Sequence, residues 1–164
     1  MSTANNPFEH ILYEIEMYLA TYKFAPNAND PLALFANNFI ADSRAIHLRN
    51  LVVFFYQKKT GKYWHAGDYV CNASAINFLT DATLFKDIKD YASRATAHLL
   101  DERLDVAYKS NTIACYQKVH PIIINAIKSF LTALDNDVKP EYKTDWEDTD
   151  IQKNVGFIKT ELLK

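Results

Sequence analysis

Glycine is scarce in this chain, three in 164 residues, and with five prolines there are too few turn-formers for a sandwich of many short strands. The same count excludes a glycine-rich phosphate loop, and no Ser/His/Asp nucleophile pattern is present. The two cysteines, Cys71 and Cys115, stand far apart and outside any Cys-x-x-Cys context. Neither a disulfide framework nor a cysteine zinc site is expected, and both thiols are read as free. A basic start followed by an apolar run is missing, so no signal peptide is read and the sequon at Asn72 is taken as incidental. No apolar stretch reaches the ~20 residues of a membrane span; Gln117, Lys118, His120, Asn125 and Lys128 interrupt residues 113–134. Charge of one sign is not in excess either, since a formal net charge of −2 writes no general attraction to nucleic acid into the composition. These absences point to a cytoplasmic protein that does not engage a membrane.

What is present is the balance of a globular domain, 49% apolar against 23% charged, long enough to bury a core without covalent staples. Asn6-Pro7 is a helix start, and Phe8, Ile11, Leu12, Ile15, Leu19 and Tyr22 follow at helical spacing, with Glu9, Glu14 and Glu16 assigned to the other faces. Asp30-Pro31 repeats the start signal for a second helix over residues 32–59. Phe35, Phe39, Ile46 and Val53 form its apolar repeat, and the run at residues 51–56 is buried on several sides. Residues 63–80 read as a long irregular connection, with a short strand at 68–71 left open. Thr80-Asp81 caps a third helix from 82 to about 100, with Leu84, Phe85, Ile88, Tyr91, Ala95 and Leu99 inward; a bent continuation through 101–104 is allowed. Asn111 caps a fourth, 112–134, which Pro121 is expected to kink near His120. Residues 135–148 read as a linker and 149–163 as a weak amphipathic helix. The expected architecture is all-α: an antiparallel up-and-down four-helix bundle over residues 1–135, with residues 136–164 as linker and C-terminal helical appendage.

Some polar residues are not explained by that core. Ser43, His47 and Asn50 share one face of the second helix, at i, i+4 and i+7, while Asp42 and Arg49 share a neighbouring one. The face continues into Leu51 and Phe54, which makes the plain reading a partly enclosed hydrogen-bond network that fixes helix register. On the third helix Asp90, Arg94 and His98 stack at four-residue spacing, followed by Arg103. Here the plain reading is a solvated stripe with an ion pair worth less than about 1 kcal/mol. The chemical reading is phosphate work: imidazole moves a proton near neutral pH while guanidinium neutralises a phosphate oxygen.

The segments Asp42-Ser-x-x-Ile-His-x-Arg-Asn-Leu51 followed by Phe54-Phe55, and Ala97-His98-Leu99 with Arg103 downstream, resemble a family of small bacterial all-helical proteins. That family carries a HARNL-type second helix and an AHL motif, and in overall plan it is similar to the HEPN superfamily of helical bundles. The resemblance implies a HEPN-like fold and RNA or nucleotide engagement, with metal-independent endoribonuclease activity in a defence or toxin–antitoxin system among its members. It also implies a homodimer and a cognate protein partner. In catalytic members an Arg precedes a His by four to six intervening residues; here three separate Arg94 from His98. Carried over, His98 is the general acid or base, Arg94 stabilises the phosphorane, and His47, Arg49, Asn50 and Arg103 bind substrate. No cofactor is implied. The contrasting expectation is a non-catalytic interaction module whose His, Asn and Arg residues form an internal network.

Two further groups carry weaker signals. Five histidines (His10, His47, His65, His98 and His120) show no His-x-x-x-His or His-Glu-x-x-His spacing, so no metal site is expected. Lys58, Lys59 and Lys62 beside Tyr63 and Trp64 read first as a solvated helix end, with contact to a phosphate backbone by charge plus stacking as the second reading.

Overall fold

The computed structural model describes residues 6–24, 26, 29, 31–59, 61–97 and 106–163; within them the side chains of 34, 35, 91, 93–97 and 106–115 are not described. It is all-helical, and among the described residues there is no strand. The main helices are α1 (Pro7–Lys23), α2 (Ala33–Phe55), α3 (Ala82–Ala97) and α4 (Val106–Asp137). The short α5 (Lys143–Trp146) and α6 (Thr149–Glu161) follow. None of the described helices is long and apolar enough to cross a membrane.

The first helix starts where the sequence says it should. Asn6 accepts from the Phe8 N–H at 2.9 Å, and Pro7 occupies the first turn, where no N–H is needed. The Asn6 amide also donates to the Asp145 carbonyl at 2.8 Å, tying the helix start to α5. Phe8, Ile11, Leu12, Ile15 and Leu19 are buried as expected, but Tyr22 is 38% exposed. The helix α3 is capped by Asp81, whose Oδ1 receives the Thr83 and Leu84 N–H groups, both at 2.9 Å.

The second helix stops at Phe55, four residues before the expected end at Lys59. A competing set of partners ends it. The Leu79 N–H donates to the Phe55 carbonyl and the Gln57 N–H to the Leu79 carbonyl, both at 2.9 Å, while His65 Nε2 donates to the Tyr56 carbonyl at 2.8 Å. His65 Nδ1 then accepts from the Gly67 N–H, and its ring stacks on Phe78. The connection over 63–80 is thus a packed strap with two short 3₁₀ turns. The strand left open at 68–71 reduces to one bridge, Val70 with Val138.

Three expectations are corrected. Phe39 and Ile46 face out, 68% and 43% exposed, so the apolar repeat of α2 is not a core stripe. Helix α4 begins at Val106, six residues early, which puts Asn111 inside it rather than at its cap, and it runs on through Pro121. The stretch 135–148 is not an open linker: α4 continues to Asp137, a 3₁₀ turn spans Pro140–Tyr142, and Trp146 of α5 is buried. Asp148 caps α6 through its Oδ1, and Ile151, Val155 and Ile158 are buried. One set of buried side chains runs from Phe8 through Phe54, Phe55, Tyr69 and Phe130 to Trp146 and Ile158. Edge contacts between rings dominate its centre, such as Phe8 on Trp146 at 5.1 Å and Phe54 on Phe130 at 5.3 Å.

Candidate functional site

The helices α1 and α2 run antiparallel, since Glu14 meets His47 while Thr21 meets Arg44. At the Glu14 end, α1, α2, the turn after α2 and α3 enclose a cleft of about 300 Å³. Helix α1 contributes His10, Ile11 and Glu14. Arg49, Asn50, Val53 and Phe54 come from α2, Lys62, Tyr63 and Trp64 from the turn, and Lys89 from α3. Gly61, at φ 63°, gives that turn the left-handed step that brings the aromatic pair round to the cleft.

Glu14 is the residue that helix counting missed. It is 4% exposed, and its Oε2 accepts from His47 Nδ1 at 2.7 Å; His47 is 7% exposed. The signal was available: Glu14 lies three residues after Ile11 and four before Tyr18, which places it on the buried face rather than the outer one. With the carboxylate oxygen as acceptor, His47 Nδ1 is the donor of this contact. His10 Nε2 lies 3.7 Å from the other oxygen, Oε1, and the His10 ring meets the edge of Trp64 at 5.6 Å.

Around this floor the mouth is cationic and aromatic. Arg49, Lys62 and Lys89 line it, and Glu14 is the one acid among the lining residues. Trp64 and Tyr63 are about half exposed, unlike the rings of the core. Of the three lysines grouped in the sequence, Lys59 is held by Asp68 at 2.7 Å and Lys62 turns to the cleft. The positive character is local, in a chain of net charge −2.

The expected site residues are therefore divided. Arg49 and Asn50 line the cleft, and His47 stands behind it against Glu14. The side chain of Arg94, and His98 and Arg103 as a whole, lie outside the described residues. Ser43 and Asp42 are half-buried on α2. Among the described residues no group of three His, Cys, Asp or Glu side chains converges as metal ligands would. Cys71 is exposed and free. The arrangement can hold a flat ring against indole or phenol and place anionic oxygens among three cations. No known protein family, curated protein or solved structure matches this chain.

Proposed function

We propose that the protein engages single-stranded RNA or a nucleotide in this cleft, on a HEPN-like bundle with the C-terminal helices appended. The observation that carries the reading is the pair of half-exposed rings, Tyr63 and Trp64, set among Arg49, Lys62 and Lys89. Base stacking on an exposed ring combined with phosphate neutralisation is the general way single strands are held. Asn50 supplies donors and an acceptor for a base edge, and Glu14, with Oε2 engaged by His47, keeps Oε1 as an acceptor at the floor.

Fluorescence anisotropy with a labelled short oligoribonucleotide tests this. Saturable binding at low salt is expected, weakened about tenfold or more in Trp64→Ala, because one stacked base contributes about 1–3 kcal/mol. Lys62→Gln should flatten the dependence of log affinity on log salt by about 0.7. Absence of saturable binding, or equal affinity in Trp64→Ala, refutes the reading. Cleavage by Arg94 and His98 is the further step that the family resemblance supports; it predicts that His98→Ala abolishes RNA cleavage in folded protein. The exposed Phe39 and Ile46, one above the other on α2, support the homodimer that the same resemblance implies.

A further inference from the structure

The opposite end of the α1–α2 pair holds a second group of functional side chains, which the reading above does not use. Tyr22 closes α1, Arg44 sits mid-way along α2, and Tyr116, Gln117 and His120 come from α4; together they line a cavity of about 380 Å³. Along α1, His10 and Tyr22 are twelve positions apart, roughly 18 Å at helical rise, so this cavity is separate from the first cleft.

Arg44 is held in place from two directions. Its Nε donates to Thr21 Oγ1 at 3.3 Å and one terminal nitrogen donates to the Thr21 carbonyl, in the last turn of α1. Its guanidinium carbon lies 4.2 Å from the centre of the Tyr22 ring. Capping α1 accounts for one edge of the guanidinium and leaves the remaining N–H groups unassigned. Among the described residues no carboxylate forms an ion pair with Arg44. His120 stacks on Tyr22 at 4.0 Å, and its Nδ1 is engaged by the Tyr18 hydroxyl at 2.8 Å, so Nε2 is the ring's remaining polar atom. Burial, and then the Arg44 charge, hold the imidazole below its ordinary pKa. A guanidinium without a counter-ion, fixed by stacking beside a cavity, is a preorganised receptor for an anion.

The ligand's chemistry follows from the donors. One Arg44 edge is spent on Thr21, which leaves the end-on edge between its two terminal nitrogens. The donors that remain, from Arg44 and the Gln117 amide, reach the cavity from two different helices. That placement suits the divergent oxygens of a tetrahedral anion. A bare phosphate fills only part of the volume, and the rings of Tyr22 and Tyr116 offer apolar surface to the rest. We propose that this cavity is a second binding site, for a phosphate monoester on a compact apolar or aromatic body, with Arg44 and Gln117 as its anion ligands.

Phenyl phosphate is the probe, followed by calorimetry and by the His120 ring resonances. Saturable binding that shifts those resonances is expected, at least tenfold weaker in Arg44→Lys. Gln117→Ala, an exposed position whose loss leaves the core intact, should weaken it severalfold. Inorganic phosphate should compete weakly, and benzoate less well than phenyl phosphate. Unchanged affinity in both variants overturns the proposal, and benzoate binding as well as phenyl phosphate overturns the phosphate assignment. Loss of phenyl phosphate binding in Trp64→Ala instead would place the ligand in the first cleft and overturn the second site. Oligoribonucleotide affinity is expected to be the same in Arg44→Lys and wild type, so the two sites can fail separately.

Discussion

The two ends of the α1–α2 pair are built with opposite polarity. At one end a carboxylate from α1, Glu14, receives an imidazole from α2 and is ringed by cations. At the other, a guanidinium from α2, Arg44, donates to the Thr21 carbonyl and hydroxyl in the last turn of α1 and lies over Tyr22, on whose ring the His120 imidazole of α4 stacks, with no carboxylate paired to it among the described residues. The same residue type, histidine, therefore faces an acceptor at one end and a cation at the other. What a histidine can do in this protein is decided by the helix across from it, not by its own.

Removing the acceptor is the strongest way to break that contrast. Glu14→Ala leaves the buried His47 Nδ1–H without a partner and removes a side chain that is itself buried. A loss of about 3 kcal/mol in urea unfolding is expected, the upper end of the scale for a buried donor left without its acceptor. Glu14→Gln retains an amide oxygen for the same N–H and should lose less than half as much. If the alanine variant unfolds like wild type, His47 does not depend on Glu14 and the first end of the comparison falls.

The helices themselves were largely legible, because caps and apolar periodicity are local. Asn6, Pro7 and Asp81 act at the ends they were expected to mark, and five of the six inward positions read on α1 are buried. The failures share one cause. The early stop of α2 is imposed by Leu79 and His65, more than nine residues downstream of Phe55, and the register of α2 that exposes Phe39 turns Leu48, Leu51, Val52 and Phe55 into the core. At the site, Arg49 and Asn50 were singled out by spacing on one helix. Glu14, Lys89 and Trp64 join them only through tertiary contact. The Arg44–Tyr22–His120 group draws on three helices and has no signature in any one of them.

The second end of the pair breaks more gently. Arg44→Lys keeps the charge but cannot reproduce the fork onto Thr21 or the flat contact with Tyr22. About 1 kcal/mol of stability should be lost, the scale of one net hydrogen bond plus a partly exposed cation–π contact. Urea unfolding beside Glu14→Ala compares the ends directly. A loss as large as that of Glu14→Ala would mean that Arg44, too, carries an obligatory buried contact.

The smallest effect is the most specific to the cationic environment of His120. Burial first, and the Arg44 charge second, lower the pKa of this imidazole from its ordinary 6.5, so the folded protein favours the neutral ring. The unfolded chain takes up the proton near pH 6.5, where the folded chain does not yet, so the unfolded state binds more protons as the solution is acidified. Stability contributed in this way is fully present above that pH, and it is lost progressively as the pH falls through the depressed folded value. His120→Gln removes the titration while keeping a polar side chain of similar reach. The fall in Tm between about pH 7.5 and about pH 5.5 should therefore be smaller in the variant than in wild type. An equal or larger fall would show that His120 takes up its proton as readily when folded as when unfolded. The guanidinium beside it would then already be neutralised by a bound anion or by solvent, and the polarity assigned to that end would be wrong.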